Sequence, residues 1–184
     1  MKRLKRIGIG IGVLATGLLA AVAMQPSTFH VERSASVGAA PAAVHANVSD
    51  FRNWKEWSPW EKLDPTMKST YAGPASGVGS SYAWAGNDDV GEGKMTLTDS
   101  APDKVVIALE FLKPFAATNT ATFRFAPEGA GTRVTWAMDG EKNFLSKAFC
   151  LFGDMDAMIG KDFEAGLANL KAAVERAPPV AATR

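Results

Sequence analysis

Asp154-Met155-Asp156-Ala157-Met158-Ile159-Gly160-Lys161-Asp162-Phe163-Glu164-Ala165-Gly166-Leu167-Ala168-Asn169-Leu170-Lys171-Ala172-Ala173-Val174-Glu175-Arg176 is the stretch that decides the architecture. Met155, Ile159, Phe163, Leu167, Leu170 and Val174 recur at spacings of three or four, which draws one apolar stripe along a helix. Asp154 or Asp156 suits the positive end of the helix dipole, and Lys171 and Arg176 suit the negative end. Pro178-Pro179 stops the helix, and residues 178–184 read as a frayed tail. A helix of that length spans about 33 Å, enough to lie across a sheet.

The chain upstream supplies the sheet. In Thr118–Phe125 the residues Asn119, Ala121, Phe123 and Phe125 alternate onto one face. Similar segments cover Met67–Tyr71, Ser80–Trp84, Glu92–Ser100, Lys104–Leu112 and Thr132–Gly140. Turn residues separate them, among them Gly73-Pro74, Gly77-Val78-Gly79, Gly86-Asn87-Asp88-Asp89 and Ala101-Pro102-Asp103. Tight turns at short, regular spacing predict an antiparallel meander. Before it, Phe29–Val37 alternates as a first strand. Pro41–Ala46 opens as a short helix with proline in its first turn, and Asp50 caps a second that carries Phe51, Trp54 and Trp57 and ends before Pro59. The expected fold is α+β: about seven curved antiparallel strands wrapped on a long C-terminal helix, with two short helices after the first strand. A bent sheet held against one helix leaves a space between them, where apolar ligands are kept.

The N-terminus is different. Met1–Arg6 carries four cations, and Ile7–Met24 then runs for 18 residues without a charge. As a helix it would measure about 27 Å, close to the hydrocarbon thickness of a bilayer. Two readings fit residues 1–25: a membrane anchor through residues 7–24, or a signal peptide cleaved at Ala21-Val22-Ala23. In both, the cationic end stays cytoplasmic and the domain at residues 29–177 lies outside, as an inner-membrane single-pass protein or as a soluble periplasmic one. Gly8, Gly10 and Gly12 follow no strand and make no phosphate loop.

Composition narrows the function. The formal net charge is +1, and with Lys2, Arg3, Lys5 and Arg6 set aside the body carries −3. A mildly acidic body does not suit nucleic acid. At 47% hydrophobic and 21% charged residues the chain is globular, and its length suits one domain. Cys150, the only cysteine, has Ala148, Phe149, Leu151 and Phe152 about it and reads as a small buried hydrophobe.

Three stretches together resemble the SRPBCC superfamily, the START-like, helix-grip domains of the polyketide cyclase/dehydrase and lipid-transport group, and within it a membrane-tethered subgroup. They are Val31–Ser34 with Pro41–Val44, Asp50–Trp60, and Asp154–Lys171. The resemblance spans about 29–177 and implies a cavity under the C-terminal helix with the tryptophan segment at its entrance. Members include carriers, ligand sensors, cyclases and chaperone partners, so the fold fixes no ligand.

The residues expected to line or guard the cavity are Trp54, Trp57, Trp60, Tyr82, Trp84, Glu110, Phe123, Trp136, Ile159 and Phe163. The three tryptophans of the 54–60 segment serve equally as packing between short helices and sheet. Glu92 and Glu110 fall in strands: inward they become desolvated acid–base groups, outward they are solvated. Arg33 and Arg124 are either anchors for an acidic ligand head or surface charges. His30 and His45 have no metal-ligand spacing, and there is no Gly-x-Ser-x-Gly elbow, so no cofactor, metal or catalytic constellation is expected. The leading expectation is a non-catalytic binding protein for a hydrophobic small molecule or lipid. A cyclase- or hydratase-type enzyme and a protein-interaction module are the alternatives, and the sequence assigns no oligomeric state.

Overall fold

The computed structural model describes residues 2–151 and 153–176, with side chains for 12, 14–151 and 153–176. Ten-residue β1 (Thr28–Val37) leads into α2 (Pro41–Ser49) and then a 3₁₀ turn (Phe51–Asn53) that continues as α3 (Trp54–Trp57). Six strands follow: β2 (Lys68–Ala72), β3 (Ser81–Ala85), β4 (Glu92–Ala101), β5 (Lys104–Lys113), β6 (Ala117–Glu128) and β7 (Gly131–Glu141). Helix α4 (Phe144–Phe149) and the long α5 (Met155–Arg176) complete the domain, and α1 (Lys2–Ala23) precedes it.

The strands form one antiparallel sheet in the order β1-β7-β6-β5-β4-β3-β2. Six of them are a plain meander, and β1 closes the far edge against the last strand, with Thr28 opposite Glu141 and Val37 opposite Thr132. Register shifts at Glu92/Gly93 and Leu97/Asp99 bend β4 against β5. The curved sheet with its C-terminal helix is the expected α+β, helix-grip architecture.

Alternation decides which face is buried. Val31 and Val37, Leu97, Val105 and Ile107, Phe123 and Phe125, and Val134 point to the concave side and are all but inaccessible. From α5 the stripe Phe163, Leu167, Leu170 and Val174 enters the same core. The helix packs mainly on β1 and α3, toward one edge of the sheet. Glycines set how closely it approaches: a Cβ at Gly166 would meet the Trp136 ring at 2.7 Å. One at Gly160 would stand 2.0 Å from the Arg33 guanidinium.

Arg33 settles its own ambiguity here. It points inward from β1, and its Nη2 donates to Asp156 Oδ2 at 2.9 Å while its Nε donates to Glu164 Oε1 at 2.9 Å. It therefore pins the first turns of α5 to β1, neither anchoring a ligand nor standing free. Asp156 is held below the usual carboxylate range by that hydrogen bond. Asp154 caps the helix instead, accepting from Ala157 N at 3.1 Å. Arg124 lies exposed on the convex face.

Two expectations need correction. Helix α4 is not signalled by the sequence pattern, and Cys150 at its C-terminal cap is partly exposed rather than buried, while its neighbour Phe149 faces solvent. Among the described residues no helix is long and apolar enough to cross a membrane. The expected span at 7–24 falls partly on side chains outside the described residues, as does the tail at 178–184.

Candidate ligand pocket

Beneath the N-terminal half of α5 the sheet and helix do not meet, and a pocket of about 400 Å³ remains. Its floor is the concave face of the central strands: Tyr82 and Trp84 from β3, Met95 from β4, Leu109 and Phe111 from β5, Ala121 from β6, and Trp136 and Met138 from β7. Ile159 and Phe163 of α5, Trp54 of α3 and Trp60 of the following loop form the roof. A volume of this order is usual for a small-molecule site, as is a lining that is mostly apolar and aromatic.

The aromatic walls brace one another. Trp136 stacks on Phe163 with ring centres 4.1 Å apart and planes 7° from parallel. Its other face lies on Phe123 at 4.8 Å. Trp54 donates from Nε1 to Val48 O at 3.0 Å, which fixes its ring against the end of α2. Trp84 donates to Val90 O at 2.9 Å and lies over Gly93, where a Cβ would sit 2.5 Å from the ring. Glycine at 93 is therefore required for Trp84 to lie flat on the floor. The 58–67 loop is held over the pocket by buried Asp64, whose carboxylate accepts from Thr66 N and Oγ1 at 2.8 and 2.7 Å and from Asn87 N at 2.8 Å. The Thr66 hydroxyl, then the Asn87 and Thr66 amides, hold this carboxyl below its ordinary value.

Polar residues also border the pocket, among them Glu61, Asp89, Lys113, Glu141, Lys142 and Asp162. Tyr82 donates its hydroxyl to Glu61 Oε1 at 2.8 Å, with Ser69 Oγ at 3.3 Å. Burial, foremost, pushes the Tyr82 phenol well above its usual value, so it stays neutral and a donor. Trp136 Nε1 and Asn119 Oδ1, buried on pocket-lining residues, have no hydrogen-bond partner among the described residues. Trp57 Nε1 is similarly orphaned, but Trp57 does not line the pocket.

Of the residues singled out in the sequence, Trp54, Trp60, Tyr82, Trp84, Trp136, Ile159 and Phe163 come together around one cavity. Trp57 and Phe123 do not: they are core residues behind it, almost wholly buried. Glu110 is on the wrong face. Its neighbours Leu109 and Phe111 turn inward and it turns out to solvent. Glu92 also points outward and pairs with Lys113 Nζ at 2.7 Å. The carboxylates that do border the pocket are Glu61, Asp89, Glu141 and Asp162; Glu61, the one bonded to Tyr82, lies in a loop whose sequence carries no periodic signal. His30 pairs with Asp139 at 2.7 Å on the surface, and His45 meets Ser100 at 3.1 Å, both away from the pocket. Among the described residues no group of three or more His, Cys, Asp or Glu side chains is placed to hold a metal ion. A wider, more open depression of about 980 Å³ runs along the ends of β1, β6 and β7 and shares Phe29, Ala117, Asn119, Glu141, Lys142 and Ser146 with the pocket.

A seven-stranded sheet gripping one C-terminal helix over a cavity is the helix-grip fold. The family described as polyketide cyclase/dehydrase and lipid transport matches residues 28–175, and the chain belongs to it. Solved structures share the fold. One is a protein from Chromobacterium violaceum, 14% identical over 83% of this chain and 100% of its own, with a TM-score of 0.58. Another is the Aha1 dimer from Colwellia psychrerythraea, 16% identical over 80% and 97%, with a TM-score of 0.56. A third is the di-domain aromatase/cyclase BexL of the BE-7585A biosynthetic pathway, 15% identical over 95% of this chain and 61% of its own, with a TM-score of 0.62. No curated protein matches the chain.

Proposed function

We propose that the protein holds a hydrophobic small molecule or lipid in the pocket under α5, without chemical conversion, on the outer side of a membrane to which its N-terminus ties it. One observation carries the reading: about 400 Å³ between helix and sheet, walled by aromatic and aliphatic side chains, is not filled by them. A guest burying roughly 300 Å² of apolar surface there gains about 7.5 kcal/mol before the cost of association. The membrane part of the proposal is supported by the cationic Met1–Arg6 and the uncharged 7–24 segment.

The test is titration of the purified full chain with N-phenyl-1-naphthylamine, alongside an Ala121→Trp variant that fills the pocket from β6. Saturable binding that the variant loses while keeping its fold supports the reading. Equal binding by both proteins, or none by either, overturns it.

A second reading has one observation behind it. Glu61 and Tyr82 form a hydrogen-bonded carboxylate–phenol couple on the pocket wall, the arrangement a proton-transferring cyclase would use. Glu61→Gln separates the two: a carrier keeps its ligand unaltered in both proteins, whereas an enzyme releases a converted product only with glutamate at 61.

A further inference from the structure

The register places the open end of the pocket. Thr28 faces Glu141, Asn119 faces Gly140, Phe111 faces Ala117, and Glu92 faces Lys113. The start of β1, the end of β7, the start of β6 and the end of β5 therefore share one end of the sheet. The N-terminus of α5 lies there too, because Met155 and Ile159 line the pocket beside Lys113, Glu141 and Ser146.

That end is ringed by apolar side chains in water. Leu112 at the end of β5, Phe115 on the β5–β6 turn, Phe144, Leu145 and Phe149 on α4, and Met158 on α5 are each more than half exposed. They alternate along the chain with pocket residues: Leu112 precedes Lys113, Leu145 precedes Ser146, and Met158 precedes Ile159. Phe115 belongs to both sets. Outside this collar, α1 and Met24, only Leu63 and Val78 are comparably exposed among the large apolar side chains described. A hydrophobic patch this concentrated on a soluble domain marks an interaction surface.

The chain itself indicates what covers it. Four residues, 24–27, separate the end of α1 from the start of β1, a reach of at most about 14 Å. The linker is also tied down beside the collar: Lys142 N donates to Ser27 O and Lys147 Nζ to Ser27 Oγ, both at 2.8 Å. The C-terminal part of α1 touches α4, and Val22 is buried. The uncharged 7–24 segment thus leaves the domain at the collar and at no other face. Apolar side chains on an interfacial helix bury about 5–10 Å into the headgroup and acyl boundary.

We propose that this collar rests on the phospholipid bilayer and is the portal through which the pocket exchanges its apolar ligand with the adjoining leaflet. This rests on the pocket reading above and adds to it a route: the guest passes from lipid to protein without crossing water. It also gives α4, a six-residue helix with no buried residue, its purpose.

The test uses the full chain with Cys150→Ser, reconstituted in vesicles of phosphatidylcholine with one-fifth phosphatidylglycerol. Single nitroxides are placed at 112 and 145 in the collar and at 124 and 126 on the convex face, toward the other end of the sheet, and accessibility to oxygen and to a water-soluble nickel complex is read by spin resonance. The proposal expects oxygen to dominate at 112 and 145 and the nickel complex at 124 and 126. Equal nickel access at all four sites overturns it. So does protection of 112 and 145 from both reagents, which would mean that protein, such as a second copy, covers the collar. In parallel, Phe144→Asp with Leu145→Asp slows uptake of N-phenyl-1-naphthylamine from the vesicles by at least about tenfold, since two membrane-inserted side chains are lost. The same variant binds the probe dispersed in buffer as the native protein does. Unchanged uptake refutes the portal. If the native protein binds no probe in buffer, the pocket reading falls, and the nitroxides still decide whether the collar meets lipid.

Discussion

Gly160→Ala is a substitution whose sign depends on a residue in another element. Glycine in the interior of a helix costs up to about 1 kcal/mol relative to alanine, so in isolation the change stabilises α5. In this protein the new Cβ would lie 2.0 Å from Arg33 Nη2, 2.3 Å from Cζ and 2.7 Å from Nε. Ordinary contact begins near 3.4 Å, so the guanidinium has to withdraw by more than an ångström. It cannot do so and keep its bonds of 3.1 and 2.9 Å to the Asp156 carboxylate and 2.9 Å to Glu164. Gly160→Ala alone is therefore expected to lower the melting temperature. In an Arg33→Ala background the clash is gone and the propensity gain is free to appear, as about 1 kcal/mol or roughly 2–4 °C for a domain of this size. Thermal and urea unfolding of the four proteins, followed by circular dichroism, closes the cycle. If Gly160→Ala shifts the midpoint equally in both backgrounds, Arg33 does not occupy the groove that Gly160 opens, and its role in seating α5 is wrong.

Phe163→Ala removes the ring stacked 4.1 Å from Trp136 at a position 1% exposed, and is expected to cost about 3–5 kcal/mol, read as a drop in melting temperature of roughly 6–20 °C. Asn119→Leu replaces a buried group whose oxygen has no partner, so stability measured in urea is expected to hold or rise. On acidification, Asp64, Asp156, Glu128 and Glu175 act in one direction: each is held below its ordinary value, by Thr66, Arg33, Ser36 and the Gly38 amide respectively. Their stabilisation is complete above the unfolded carboxylate values near pH 4 and is lost as pH falls through the depressed folded ones. Urea midpoints should therefore be level from about pH 7 to 5 and fall below about pH 4, and Asp64→Asn should flatten that fall; a fall beginning at pH 6 would contradict the assignment.

Local periodicity carried most of the fold. The α5 stripe, the Thr118–Phe125 alternation and Pro41 at a helix start are signals within single segments, and the observed bounds fall within a few residues of those expected. Strand faces were also readable in β5, where Ile107, Leu109 and Phe111 oppose Ala108 and Glu110; comparing the two rows would have sent Glu110 outward. The β4 face was not, because the shift between Leu97 and Asp99 breaks the alternation midway. Helix α4 is too short to show a period and leaves its apolar side chains in water, so hydrophobicity alone suggested burial around Cys150. Its one local mark is Asn143, which accepts from Ser146 N at 2.8 Å. Glu61 reaches the pocket only because Asp64 folds its loop back across β3, a tertiary event with no local signature.

The same sheet closes solidly at one end and stays open at the other, and the reason lies in where α5 is held. At the closed end Val37, Val44, Val105, Phe125, Leu170 and Val174 are each at most 4% exposed, and α2 packs in beside the C-terminal half of the helix. At the other end only the single turn of α3 and the loop after it join α5 over the sheet, and Arg33 draws the first turns of α5 toward β1. The Trp136–Phe163 stack stands between the two regimes: both rings are nearly inaccessible, yet both border the pocket. Gly166 lets that stack sit tight against the helix, since any side chain there would push Trp136 into the space a ligand needs. The width of the pocket thus follows from where α5 is held, and Arg33, Gly160 and Gly166, which hold it there, do not line the space they leave open.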